Sequence, residues 1–283
     1  MTPHVATGTP IATSHALAEA PAYSVTALDP AGILLEATTG AAPLPDLAVL
    51  RRLVDEARIV VVRGAAVPRH DDLAAVLAPL GEPRDGAEVP VAARAFDVYA
   101  EPAAPDGHRS VIRSHERLPF HWDVEGGSAA QAPRFVAYYC VTAAEQGRGG
   151  QTLFCDTTRL LAICPGDVRS RLAALQMAAF RGDTVLESWP LVQPHPVPGR
   201  GLTLRVVEPA EASPAGLRFA IIDTDDPSSA IAEIVRHLYD PQYCYMHEWE
   251  RGDLVVIDNR SVLHARHSFA RDSPRRLRRV LIS

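Results

Sequence analysis

The sequence predicts a β-rich α+β fold, a sandwich or jelly-roll barrel with flanking helices, and three observations carry that expectation. Short apolar or β-branched runs recur between turn-forming residues, and amphipathic helical patterns are few. No strand, glycine-rich turn and helix follow one another in the manner of a dinucleotide- or phosphate-binding unit.

Taken in order, residues 1–22 are rich in Ala, Thr and Pro without a period and read as a loose N-terminal arm, with 23–283 as a single domain. Behind Asp46 as a cap, Leu47, Leu50, Val54 and Ala57 recur at helical spacing, and 58–62 then reads as a buried strand. A second helix is expected over 71–80, stopping at Gly81 as a left-handed cap. Residues 83–120 read as long loops with at most a short strand at 96–99. The aromatic and β-branched run 135–141 is the clearest central strand, and further strands are expected at 202–207, 217–222, 254–257 and 277–282. Ile231, Ile234, Val235 and Leu238 mark one face of a helix opened by Ser228 or Ser229. Gly147, Gly149 and Gly150 lack phosphate-loop spacing and read as a tight turn.

A formal charge of -6 over 283 residues argues against a nucleic-acid partner. Without a long apolar run or a secretory pattern at its start, the chain is expected to be cytoplasmic with no membrane partner. Its four cysteines form no CxxC pair, so they read as buried thiols. Oligomeric state is not legible.

Two His-x-Asp triplets occur. His70-Asp71-Asp72 falls at a predicted helix start, where acidic residues suit the helix dipole, and reads as structural. His121-Trp122-Asp123 reads as a strand end, where side chains two apart share a face and can grip one metal ion. His264, closing the strand-like stretch 253–260, is the candidate third ligand, and two histidines with one carboxylate form the triad of non-haem Fe(II) oxygenases. A metal-free binding module and a zinc hydrolase are the alternatives. In the tail, residues 271–283 hold five arginines and one aspartate, a charge of +4 that leaves -10 on the rest. As a strand, this tail puts Arg275, Leu277, Arg279 and Leu281 on one face and Arg276, Arg278, Val280 and Ile282 on the other. An arginine turned into a barrel needs an anion against its desolvation, and a dicarboxylate suits its planar fork.

The stretches LPFHWD at 118–123, GRGGQTLFCDT at 147–157, WPLVQPHPVPGR at 189–200, GDLVVIDNRSVLHAR at 252–266 and SPRRLRRVLI at 273–282 spread over more than half the chain. Through them it resembles the taurine dioxygenase-like (TauD/TfdA) family of Fe(II)/2-oxoglutarate-dependent oxygenases. The resemblance implies a double-stranded β-helix, with His121, Asp123 and His264 as iron ligands. It implies 2-oxoglutarate and O2 as co-substrates, Thr152 hydrogen-bonding the distal carboxylate of 2-oxoglutarate, and Arg275 pairing with it. Arg279 matches a second position that in some members contacts the substrate's anionic group. Asp258 and Asn259 would support the ligands, and His195 and His247 would be structural. Retention of Asp123 favours an oxygenase outcome over halogenation. FHWD and SPRRLRRV are most similar to the PvcB-type branch, which oxidises amino-acid-derived isonitriles. The expected substrate is therefore a small anionic or zwitterionic metabolite, with hydroxylation of an amino acid or small carboxylate as the alternative. Specificity is expected in lid loops at 84–120 and 182–215, where Arg84, His108, Arg113 and Arg181 could meet a carboxylate.

Overall fold

Along the central strand Phe135–Thr142, residues 135–140 alternate between two apolar layers, and that alternation explains the architecture. Phe135 and Ala137 pack outward with Leu50, Leu53 and Leu77, whereas Val136, Tyr138 and Cys140 point inward to Phe154 and Val262. In a computed structural model describing residues 21–67, 72–81, 83–84, 95–98, 114–124, 132–209 and 216–283, that strand lies inside an eight-stranded sheet. Across this sheet run Tyr23–Ala27, Ile33–Ala37, Ile59–Arg63, Leu254–Asp258, Phe135–Thr142 and Arg276–Ile282, with Pro83–Arg84 and Ala95–Val98 both pairing the last. A four-stranded sheet of Cys244–His247, Thr152–Asp156, Val262–Arg266 and Leu118–His121 faces it. Together they form the double-stranded β-helix, or jelly-roll, barrel.

Helices Leu47–Ala57 and Leu73–Leu77 cover the outer face of the large sheet. Helices Thr157–Ile163, Gly166–Ala173 and Pro227–Leu238 cover that of the small one, together with a three-stranded sheet of Thr184–Pro190, Gln176–Arg181 and Leu217–Ile222. Asp46 caps the first helix as expected, its carboxylate accepting from Ala48 N at 2.8 Å and Val49 N at 3.2 Å.

Several expectations are corrected. The helix expected at 71–80 is the short Leu73–Leu77 followed by a tighter turn at Ala78–Leu80, while His70 and Asp71 lie outside the described residues. Asp226, not Ser228 or Ser229, caps Pro227–Leu238, because it accepts from Ser229 N at 3.0 Å. The expected strand at 202–207 is only Leu202–Leu204, which pairs with Val192–Pro194. The described part of the lid expected at 182–215 therefore holds strands, Thr184–Pro190, Val192–Pro194 and Leu202–Leu204. His264 does not close the strand at 254–258: a turn intervenes, and His264 occupies its own strand, Val262–Arg266.

Gly81 is needed for a reason other than the left-handed cap expected. Its backbone is extended, with φ 159° and ψ -179°, and a Cβ there would collide with the Ser283 carbonyl oxygen and lie 2.9 Å from Ile282 Cγ2. Gly81→Ala must push the C-terminal strand away, and overpacking of this kind costs about 1–3 kcal/mol. Denaturant unfolding of G81A checks this as a lowered midpoint with an unchanged slope.

Among the described residues no helix is long and apolar enough to cross a membrane. All four cysteines are buried and free.

Candidate active site

At one end of the space between the sheets, aliphatic packing gives way to polar side chains. His121 ends its strand, and its Cα pairs across the ladder with that of His264, so the two rings meet at 4.3 Å between centroids. Two residues on, Asp123 turns to the same side. One ligand atom from each of the three lies within 4.8 Å of the others, and this is the one such group among the described residues.

Protonation and hydrogen bonding suit metal binding. Donation from His121 Nδ1 to the Pro119 carbonyl at 2.8 Å fixes that ring and leaves Nε2 as the lone-pair donor. Burial pushes both imidazoles below their ordinary value, and His121 and Arg279 push His264 further. Both are then neutral, the form that ligates. His264 Nδ1 and Asp123 Oδ2 are buried without a hydrogen-bond partner. Two imidazoles and a carboxylate with an orphaned oxygen fit a borderline divalent ion such as Fe(II).

Asn259 clamps the backbone of Asp123 on both sides. Its Oδ1 accepts from Asp123 N at 2.9 Å, while its Nδ2 donates to the carbonyls of Asp123 at 3.1 Å and Pro133 at 3.0 Å. The neighbouring Asp258 accepts from His195 Nε2 at 3.1 Å, Ser261 Oγ at 2.9 Å and Arg260 N at 3.0 Å. Burial alone would raise this carboxyl, but those bonds outweigh it and hold the pKa below its ordinary value. His195 thus has a structural partner. On the other side, Glu208 holds the strand that carries His121, accepting from Phe120 N at 2.9 Å and Tyr239 Oη at 2.8 Å.

An anion-seeking end lies next to these groups. Alternation along Arg276–Ile282 sends Val280 and Ile282 outward and Leu277, Leu281, Arg275 and Arg279 inward. Arg276 and Arg278 go outward to Asp97. Arg275 is 2% exposed; its Nε donates to the Gly150 carbonyl at 2.9 Å, and its Nη1 has no partner. Burial, and then the neighbouring Arg266, push its pKa down to about 9. Gly150, at φ 86°, is required here because a Cβ would lie 2.7 Å from Arg275 Cδ. Thr152 Oγ1 accepts from Trp249 Nε1 at 2.9 Å, which leaves its hydroxyl proton to donate. Arg279, read from sequence as a co-substrate or substrate contact, donates Nη2 to Asp123 Oδ1.

The profile of the Taurine catabolism dioxygenase TauD, TfdA family matches residues 34–281. The chain belongs to this family. Like its relatives, this TauD/TfdA member is an Fe(II)- and 2-oxoglutarate-dependent oxygenase that acts on a small molecule. It is 31% identical to the 3-((Z)-2-isocyanoethenyl)-1H-indole synthase of Fischerella ambigua, over 92% of this chain and 95% of that one. With the tyrosine isonitrile desaturase of Erwinia amylovora it shares 30% identity, over 89% and 86%. PvcB from Pseudomonas aeruginosa superposes with a TM-score of 0.71 at 27% identity, over 92% of this chain and 90% of that one. PvcB is an Fe, alpha-ketoglutarate dependent oxygenase from an isonitrile synthetic pathway.

Of the loop residues considered for this family member, Arg181 is exposed at the end of Gln176–Arg181. His108, Arg113 and the Arg84 side chain lie outside the described residues, as does most of the expected lid at 84–120. Tyr138, Glu208, Trp249 and Arg266 were not picked out from the sequence. Only Arg266 fell within a motif.

Proposed function

We propose that this oxygenase hydroxylates or desaturates a small amino-acid-derived isonitrile that carries a carboxylate, using iron held by His121, Asp123 and His264. The observation that supports this most is the convergence of those three donor groups beside a buried arginine with an unpartnered nitrogen. Arg275 and Thr152 bind the distal carboxylate of 2-oxoglutarate, one as a cation and the other as a hydroxyl donor aligned by Trp249. With iron bound, the site couples decarboxylation of 2-oxoglutarate by O2, giving succinate and CO2, to a two-electron oxidation of the substrate. The anionic character of the substrate is supported by the buried arginines. Arg266, Arg275 and Arg279 are all buried, and Arg279 donates to Asp123. A single catalytic domain over 23–283, placed in the cytoplasm, belongs to the same reading and agrees with four thiols that form no disulfide.

Anaerobic addition of Fe(II) and 2-oxoglutarate should produce a visible charge-transfer band, and air should then yield succinate. Amino-acid isonitriles should raise 2-oxoglutarate consumption and give a product heavier by one oxygen or lighter by two hydrogens. If only ordinary amino acids or simple carboxylates are turned over, the isonitrile assignment fails. Asn259→Ala frees the backbone on which Asp123 is mounted, and losses of such supporting contacts weaken metal binding about 10- to 100-fold. Titration with Mn(II) reads this directly.

A further inference from the structure

Tyr138 points into the space between the sheets, directly across the ladder from Arg279. It is 6% exposed, and its hydroxyl has no hydrogen-bond partner among the described residues. Three other tyrosine hydroxyls are engaged within the protein: that of Tyr23 donates to the Pro43 carbonyl at 2.8 Å, that of Tyr239 donates to Glu208, and that of Tyr245 meets His247 Nδ1 at 2.9 Å. A tyrosine whose ring is buried usually finds a partner for its hydroxyl, and this one, turned into the barrel, is left to donate to a ligand.

Its neighbours say what that is. The ring packs edge-on against His264, with centroids 5.9 Å apart, and against Trp249, 6.3 Å apart. Trp249 is the indole that holds Thr152. Tyr138 is thus wedged between a proposed iron ligand and the support of a proposed co-substrate ligand, within the field of Arg275, Arg279 and Arg266. The geometry points to Tyr138 as a further positioning residue, whose hydroxyl donates to the distal carboxylate of bound 2-oxoglutarate beside Thr152 and Arg275. One anion would then accept both from this hydroxyl and from Arg275 Nη1, which is buried without a partner.

This assignment rests on the proposed co-substrate site, and the two can fail separately. Calorimetric titration of the Mn(II)-loaded protein with 2-oxoglutarate comes first; no binding by the unaltered protein overturns the site itself. Tyr138→Phe removes one oxygen, keeps the ring contacts, and should leave Mn(II) affinity unchanged. A lost hydrogen bond to a charged group should weaken 2-oxoglutarate binding about 10- to 100-fold. Binding of 2-oxobutyrate, which lacks the distal carboxylate, should be the same in both proteins. Equal binding of 2-oxoglutarate by both, or equal losses for the two ligands, overturns the role of Tyr138. Should Y138F fold poorly, 3-fluorotyrosine at this position gives a second test: its fluorine resonance should move with 2-oxoglutarate and stay fixed with 2-oxobutyrate, and no movement with either overturns the assignment.

Discussion

Asp123→Ala is expected to abolish oxygen-dependent succinate formation and to lower Mn(II) affinity by more than the roughly 100-fold seen when only a supporting contact is lost. Three consequences of one deletion add up. The anionic member of the donor set goes, so two neutral imidazoles alone must hold a dication. Arg279 loses the carboxylate to which Nη2 donates, and breaking a buried charge pair on one side costs about 3–5 kcal/mol. The orphaned Oδ2, already desolvated and free to ligate, goes with it, so the metal loses a preformed donor atom. Asp123→Asn keeps the volume but not the charge, so it should fold better than the alanine variant and still fail to turn over. Thermal melts of both variants, alongside the metal titration and the succinate assay, separate the folding loss from the metal loss. Full activity in either variant would sink the iron assignment.

The parts of this site that the sequence reveals are those whose chemistry is local. His121 and Asp123 are two residues apart in an extended segment, so their shared direction is written in the spacing. Period-two alternation likewise placed Arg275 with Arg279 and Arg276 with Arg278. Which pair turns inward was not legible, because each face carries two arginines and two aliphatics. Packing decided it: Val280 and Ile282 complete the layer beneath the outer helices, and Asp97 takes the outward arginines. Glu208 and Tyr138 gave no signal, since the meaning of each lies in partners far along the chain, such as Phe120, 88 residues away from Glu208. The strand Thr184–Pro190 was missed because Val185 and Leu186 are both exposed, which erases the alternation that identifies a half-buried strand. Helix Thr157–Ile163 follows a fully buried strand without a loop, and its cap, Asp156, is itself the last residue of that strand.

Arg275→Met should have opposite effects on stability and on function. In the anion-free protein Arg275 is a nearly desolvated cation whose pKa falls to about 9, mainly through burial. The folded state thus holds this proton less firmly than the unfolded chain, in which arginine keeps its ordinary value. The resulting penalty is full below about pH 9 and fades as pH rises through that value. At neutral pH a methionine of similar reach escapes it, and replacing buried charge with apolar side chains has stabilised proteins by about 1–4 kcal/mol. The variant should therefore melt higher than the parent when no 2-oxoglutarate is present. Adding 2-oxoglutarate with Mn(II) should reverse the order, because ligand that binds only the folded state raises the parent's melting temperature and finds little grip on the variant. Losing one side of a buried arginine–carboxylate pair should weaken 2-oxoglutarate binding about 100- to 1000-fold, whereas Mn(II) alone should bind as before. A variant that melts lower than the parent without ligand would show that Arg275 already has its counter-charge inside the protein, and the anion site would then have to be sought elsewhere in the barrel.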